Sequence, residues 1–289
     1  MDVRQLNYFK VIVDEGNLTR AAEKLHMAQP PLSQMLKKLE DEVGATLIER
    51  YRVKWRLTEA GQVIYDLAER MENDITHAKR YIGELVDGQR GEIRIGMAPS
   101  CIATCLDAIA LFREHHPNVT IKLVEGSSEQ LLEQVEAQRL DCAYVLKPEN
   151  PLLLPHKTVG KLSFEAAIPT AWCDGQQAIT MEALTQFPLA MLMPMKGYTI
   201  YEQVKTTLLS LNGEAHIAYE GETIAVVLAL VARKQCATIL PKQRLQPYEK
   251  EQVTWLPIHD FGLTIQPTII WTEASYSSAA LTHFLQQYE

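Results

Sequence analysis

Over the N-terminal third of the chain, apolar residues recur every three or four positions, the spacing of helices with one buried face. The first such stretch predicts a helix from about Val3 to Glu15. Leu6, Phe9 and Val13 share its inner face, and Gly16 suits a left-handed stop. A second helix begins near Asn17 or Thr19, either of which can cap orphan amides. Ala21 and Ala22 are small enough for a neighbouring helix to approach closely, and Leu25 completes that stripe. A third helix starts at Gln29-Pro30-Pro31, since proline is tolerated in a first turn whose amides have no intrahelical partner. Leu32, Leu36, Leu39 and Val43 form its core stripe. Gln29, Ser33, Gln34, Lys37 and Lys38 make the opposite, polar face. Between Arg50 and Arg56 the period falls to two. Arg50, Arg52, Lys54 and Arg56 alternate with Tyr51, Val53 and Trp55, as in a β-ribbon.

Thr58 is placed to cap a long helix, with Glu59 in its first turn complementing the helix dipole. Ile64, Leu67, Met71, Ile75, Ala78, Ile82 and Leu85 then follow a near-heptad seam among charges such as Glu69, Arg70, Asp74 and Lys79. Packing on its own domain satisfies that seam, and so does pairing with a twin helix in a second subunit; the length of the repeat favours the twin. A glycine-bounded hinge follows at Asp87-Gly88-Gln89-Arg90-Gly91.

From Glu92 the pattern alternates strand and helix. Strands are expected at 92–97, 119–124 and 141–146, with helices at 101–115 and 128–138 between them. A second unit has strands at 162–168, 189–193, 216–219 and 237–241 and helices at 198–211 and 222–234. A strand at 264–271 returns to the first unit, and a closing helix runs over 275–288. Such alternation implies parallel strands with crossover helices in two lobes. The crossings are expected near Leu146–Phe164 and Leu263–Thr268.

Composition sharpens this. Net charge is −8, which argues against a simple basic nucleic-acid binder. Residues 1–90 hold 14 of the 28 basic and 15 of the 36 acidic side chains, so that segment is at −1 and the remainder at −7. The basic groups are therefore local, and selectivity has to come from placement. No apolar run is long enough to span a membrane, and Met1-Asp2-Val3-Arg4-Gln5-Leu6 lacks a signal peptide's apolar stretch, so a cytoplasmic location is expected. Cys101, Cys105, Cys142, Cys173 and Cys236 form no Cys-x-x-Cys pair and are expected to be reduced and mostly buried. Cys101 would sit at a helix start, which can lower a thiol's pKa. There is no zinc-ligand spacing, phosphate loop, nucleophile elbow or His-Glu-x-x-His, so neither an enzyme, a metal nor a cofactor is expected.

Three short helices, a polar third-helix face and a basic ribbon together read as a winged helix-turn-helix. The residues Ala21-Ala22-Glu23-Lys24-Leu25-His26, Gln29-Pro30, Leu32-Ser33-Gln34, Leu39-Glu40, Gly44, Leu47, Glu49-Arg50 and Leu57-Thr58-Glu59-Ala60-Gly61 resemble the N-terminal signature of LysR-type transcriptional regulators. The match is dense over about sixty residues and far less specific beyond. Ile48 stands where that family often has Phe, and Arg52 where the wing turn often has Gly. The resemblance implies a winged helix-turn-helix over 1–58, a linker and dimerisation helix over 59–90, and a two-lobed α/β effector domain, similar to periplasmic binding proteins, over 91–289. Lobe I would comprise about 91–160 and 267–289, and lobe II about 161–266. Double-stranded operator DNA, a homodimer and a homotetramer are the implied partners, with RNA polymerase a further candidate.

The DNA-contact candidates are Thr19, Gln29, Pro30, Ser33, Gln34 and Lys37 on the helices, and Arg50, Arg52, Lys54 and Arg56 on the wing. Short polar groups at the start of a recognition helix can reach base edges, and Gln29 can read adenine bidentately; Lys37 suits a phosphate. A polar helix face can also be merely solvated, but not comfortably in this setting. Effector candidates lie where helices start at strand ends: Ser100, Ser127, Ser128 and Thr223, with Lys147, Lys196 and Gly197 beside them. Taken singly these hydroxyls are helix caps; together they suit a carboxylate or another small anion. The rival readings are a thiol-based redox regulator working through Cys101 and Cys105, and a solute-binding protein using the C-terminal lobes alone.

Overall fold

The computed structural model describes residues 1–50, 55–87, 91–147, 151–193, 200–211, 215–242, 250–272 and 278–288. The chain divides into two compact units, one built on Met1–Gly88 and the other on Gln89–Glu136 with Leu140–Glu289.

In the first unit, helices α1 (Val3–Glu15), α2 (Leu18–Lys24) and α3 (Gln29–Val43) precede a hairpin of β1 (Ile48–Arg50) and β2 (Trp55–Leu57), and helix α4 (Glu59–Asp87) ends it. Asp2 and Gln5 cap α1 reciprocally, each side chain taking the other's backbone N–H. Gly16 and Gly44 end α1 and α3 at φ 61° and 75°, a conformation that glycine adopts without strain. The core is Leu6, Phe9, Ile12, Leu18, Ala21, Ala22, Leu32, Leu36, Leu39, Leu47, Ile48, Ile64 and Ala68. Each fully buried leucine contributes about 1.5–3 kcal/mol relative to exposure. Four expected core positions, Val13, Leu25, Val43 and Leu67, are only half-buried. Ile12, Leu18 and Ala68 point inward instead, because the neighbouring helices lie on that flank of each stripe.

Helix α4 begins by packing on α1. Ile64 and Ala68 are buried, Leu67 and Met71 half-buried. Tyr65 donates its hydroxyl to Asp14 Oδ1 at 2.6 Å, and Lys10 Nζ reaches Asp14 Oδ2 at 2.9 Å. Burial first, and then the Asp14 carboxylate, push the Tyr65 phenol up to about 12. Further along, the seam is open: Ile75 is 40% and Ile82 57% exposed. The single chain thus satisfies the first half of the stripe and not these two positions.

The second unit contains β3 (Glu92–Met97), α5 (Ile102–His115), β4 (Thr120–Glu125), α6 (Ser128–Glu136), β5 (Cys142–Leu146), β6 (His156–Thr158), β7 (Leu162–Pro169), α7 (Met181–Leu184), β8 (Leu189–Leu192), α8 (Ile200–Ser210), β9 (Ile217–Gly221), α9 (Ile224–Ala232), β10 (Ala237–Pro241), β11 (Val253–Pro257), β12 (Thr264–Ile265), β13 (Pro267–Trp271) and α10 (Ala279–Gln286). One sheet has the order β4-β3-β5-β13-β6; the other is β11-β7-β10-β8-β9, with β12 also on β7. The all-parallel expectation holds only for β3 with β4 and β5, and for β8 with β9 and β10. Strands β6, β7, β12 and β13, which carry the chain between the sheets and back, pair antiparallel with their neighbours, and so does β11 with β7. The return falls at Gln266, since Ile265 pairs with β7 and Pro267 with β5. Gly96 is required where it stands: a Cβ there would lie 2.7 Å from both the Leu131 and Leu140 side chains.

Strands β6 and β11 and helix α7 carry no strong sequence pattern. His156-Lys157-Thr158 is wholly exposed on a sheet edge, so nothing imposes alternation on it. Among the described residues no helix is long and apolar enough to cross a membrane.

Candidate nucleic-acid interface and effector cleft

The polar face of α3 is the first candidate site. Leu32, Leu36 and Leu39 are buried, which turns Gln29, Pro30, Gln34 and Lys37 outward and leaves Ser33 half-buried. With Glu40 these five residues line an open depression of about 570 Å³. No side chain caps the N-terminus of α3, and Pro30 and Pro31 have no N–H to be capped. The start of the helix is therefore free of competing local hydrogen bonds.

Glu40 lies within the quoted family signature without an assigned role, and it ties two elements together. Its Oε1 accepts the Leu47 N–H at 2.9 Å and the Ile48 N–H at 3.4 Å, fastening the root of the hairpin to α3. Thr58 fastens the other strand. Its hydroxyl donates to the Thr46 carbonyl at 2.8 Å and accepts the Gly61 N–H at 2.9 Å, so it caps α4 as expected. The hairpin register pairs Ile48 with Leu57, Glu49 with Arg56 and Arg50 with Trp55. Arg56 is exposed between half-buried Trp55 and Leu57, the alternation expected of a ribbon. Arg50 ends β1; Arg52 and Lys54 lie outside the described residues. Thr19 does not cap α2. Asn17 does, taking the Thr19 N–H on Oδ1 at 2.7 Å, and Thr19 is left exposed in the first turn.

The effector candidates occupy strand ends in the second unit, and each described hydroxyl has an internal partner. Ser127 Oγ accepts the Gln130 N–H at 3.2 Å and Thr223 Oγ1 the Val226 N–H at 3.3 Å, so both cap helices. Ser128 is fully buried and accepts the Leu146 N–H at 3.1 Å, which joins the start of α6 to the end of β5. Ser100, in the turn Pro99–Cys101 that leads into α5, faces the Tyr201 hydroxyl of α8 at 3.3 Å. Lys147 is exposed just past β5, with its backbone N–H on the Gln266 carbonyl. Lys196 and Gly197 lie outside the described residues. Tyr201 carried no sequence signal, because its importance rests on a residue 101 positions earlier.

The five thiols are all buried. Burial pushes Cys101 and Cys105 up to about 12, which reverses the lowering expected for Cys101 at a helix start. Desolvation of the thiolate outweighs a helix terminus here, and such thiols are poor nucleophiles. His116 stacks on Phe112, 4.6 Å between ring centroids, and on His283 at 4.9 Å. Among the described residues no group of three His, Cys, Asp or Glu is placed to hold a metal.

Comparison with known proteins bears on both sites. The model described as bacterial regulatory helix-turn-helix protein, lysR family, matches residues 3–62, and the LysR substrate binding domain matches residues 87–289. The chain is 32% identical over 292 residues to the HTH-type transcriptional regulator BsdA of Bacillus subtilis (strain 168), covering 99% of each. It is also 32% identical over 222 residues to the HTH-type transcriptional regulator CatR of Pseudomonas putida, covering 76% of this chain and 66% of that one. Full-length CbnR, crystallised in complex with its target DNA, has the same fold at a TM-score of 0.72 and 20% identity, covering 99% of this chain and 98% of that chain.

Proposed function

The chain belongs to the LysR family of bacterial regulatory helix-turn-helix proteins, DNA-binding transcriptional regulators with a substrate-binding domain, and from that premise we propose how it reads DNA and what it senses. It reads its operator with Gln29, Ser33 and Gln34 of α3, while Lys37 and the wing residues Arg50, Arg52, Lys54 and Arg56 hold phosphates. The observation that carries this reading is the polar row on α3, with Gln29, Gln34 and Lys37 exposed and Ser33 half-buried, set back to back with the buried Leu32, Leu36 and Leu39. That is the geometry of a helix that presents side chains to base edges in a major groove. The solved complex of CbnR with its target DNA, which shares this fold, supports the same reading. Segments 1–58, 59–90 and 91–289 act as reader, dimer helix and sensor. Pairing through the exposed Ile75 and Ile82 of α4 covers apolar surface that the single chain leaves open, and a dimer reads two half-sites.

The sensed molecule is a small anion, a carboxylate first among them. Ser127 and Thr223 spend a lone pair on their own helices, yet each keeps a hydroxyl proton to give. Such groups, beside helix N-termini, offer donors and call for an acceptor. The anion controls DNA binding only if its affinity differs between two arrangements of the protein.

The test is binding to genomic fragments that the protein itself selects, compared with random DNA across salt concentrations. Ser33→Ala and Gln34→Ala should each weaken specific binding by about 1–3 kcal/mol and leave random-DNA binding unchanged. Lys37→Ala should weaken both and reduce the salt slope by about one. Unchanged specific affinity in both Ser33→Ala and Gln34→Ala would remove α3 from the interface.

A further inference from the structure

We propose that the outer edge of β6 is a docking strand, on which an extended, acidic segment of a partner protein adds one more strand to the sheet β4-β3-β5-β13-β6. The proposal uses none of the effector candidates and holds whatever molecule the second unit senses.

Strand β6 ends its sheet, so one of its two sides has no neighbouring strand. The register fixes which backbone groups face that side. Lys157 stands opposite Ile269; the Val159 N–H donates to the Pro267 carbonyl at 2.8 Å, and the Pro155 carbonyl accepts the Trp271 N–H at 3.1 Å. In an antiparallel ladder alternate residues bond to the same neighbour, so Pro155, Lys157 and Val159 serve β13. The N–H and C=O groups of His156 and Thr158 therefore point outward, and among the described residues no other element bonds to them. The imidazole Nδ1 of His156 lies 2.9 Å from the next carbonyl back, that of Leu154. Beyond Thr158 the edge is uncrowded: a Cβ added at Gly160 would meet nothing within 4 Å.

The side chains indicate what fits. Residues 91–289 carry a net charge of −7, yet from Pro151 to Phe164 there is no acidic residue and there are two lysines, Lys157 and Lys161. Both are exposed, and among the described residues neither makes an ion pair. On the opposite edge, by contrast, Lys122 of β4 is held by Glu92 at 2.7 Å. Lys157 and Lys161 are four positions apart, an even number, which puts both on one face of an extended chain. Carboxylates at alternate positions of an added strand meet them. Leu153, between Pro151 and Pro155, is 95% exposed and offers apolar area that no described residue covers. Extended peptides that add to a sheet edge take affinity from the backbone and selectivity from such side chains.

Lysine on an edge strand is also a guard against unwanted pairing. The two roles agree. A lysine turns away a basic or neutral edge, including β6 of a second copy, which would bring the same charges together, and it admits a carboxylate.

The experiment uses the full-length protein and the fluorescein-labelled peptide acetyl-Glu-Val-Glu-Leu-Glu-Val-Glu-Leu-amide. One control has lysine for every glutamate; another has proline at the two central positions. Polarisation gives Kd, and hydrogen exchange locates the peptide. At low salt the acidic peptide should bind at least tenfold more tightly than either control, and the His156 and Thr158 amides should exchange more slowly when it is bound. Thr158→Pro removes an outward N–H and no bond to β13, a position where an edge strand tolerates proline. It should weaken binding about fivefold, the scale of one backbone hydrogen bond. Lys157→Glu with Lys161→Glu should weaken it about tenfold at low salt and less as salt rises. The proline peptide makes the backbone test from the partner's side should Thr158→Pro melt early. No binding of the acidic peptide, equal affinity for the lysine peptide, or protection along β4, β9 or β11 instead overturns the proposal. So does protection of His156 and Thr158 in the unbound protein that is lost on dilution, since a second copy then covers the edge.

Discussion

Glu40 presents a question of sign. It lines the same depression as Gln29, Ser33, Gln34 and Lys37, so as a bare charge it repels phosphate and its removal should tighten DNA binding. As the anchor of the hairpin root it does the opposite. The bond from the Leu47 N–H is well formed at 2.9 Å, and the one from Ile48 is weak at 3.4 Å. A hydrogen bond to a charged group contributes about 1.5–3 kcal/mol. Leu47 is fully buried, so its amide is left without water as a substitute once the carboxylate goes. Glu40 itself is half-buried, which tempers the charge. Glu40→Ala should then cost about 2 kcal/mol locally, or roughly thirtyfold in the opening equilibrium of the hairpin root. Hydrogen exchange at the Leu47 and Ile48 amides reads that directly. Loss of the wing's placement should outweigh relief of repulsion, and DNA affinity should fall about tenfold, the scale of losing one or two phosphate contacts. Glu40→Gln separates the two effects, because it keeps an acceptor oxygen and drops the charge. At low salt it should bind DNA at least as tightly as the wild type. Unchanged exchange at Leu47 together with equal or tighter DNA binding in Glu40→Ala would refute the anchoring argument.

Gly61→Ala should destabilise the first unit by about 3 kcal/mol, because a Cβ there falls 2.0 Å from the Leu47 carbonyl oxygen, a backbone atom that cannot swing aside; a melting temperature within a degree of the wild type would contradict the described seat of α4. Ile82→Lys should leave the monomer within about 0.5 kcal/mol, since Ile82 is 57% exposed, while shifting sedimentation towards monomer. An unchanged oligomer would exclude that stretch of α4 from the pairing. Burial first, then the charges of His283 and His115, hold His116 below its ordinary 6.5. The folded chain then binds fewer protons there than the unfolded one, so its stability contribution is whole above about pH 6.5 and is lost as pH falls below that value. His116→Phe keeps the stack on Phe112 and should flatten melting between about pH 7.5 and 5; identical slopes in both proteins would acquit His116.

Periodicity made the first unit readable nearly to the residue, and its misses are instructive. Leu32, Leu36 and Leu39 are unambiguous because polar residues flank them, whereas Ile12 and Val13 stand side by side. A helical step of about 100° puts both near the face, and only the position of the neighbouring helices decides between them. In the second unit β5, buried throughout, was readable, and so was β4 at a sheet edge, because its own residues alternate; β6, three exposed residues at the other edge, offered no pattern. Spacing and residue type describe one segment at a time. Cys101 shows the limit: its place at a helix start is visible in sequence, while the burial that overrides it comes from distant strands.

The cleft lay at that same limit. Sequence can propose that a hydroxyl caps its helix or serves a ligand, but it presents these as alternatives, and physically they are not. A Ser or Thr oxygen that accepts from the third residue of its helix still carries a proton pointing elsewhere. Ser127 and Thr223 are therefore caps and, on the reading proposed above, donors as well, and the same fact sets the polarity of what they can hold. What local chemistry could not supply was Tyr201. Its hydroxyl faces Ser100 at 3.3 Å only because the chain, after crossing between two sheets, brings α8 back to the turn before α5. A contact between residues 101 positions apart is a property of topology, which neither spacing nor residue type along one segment encodes.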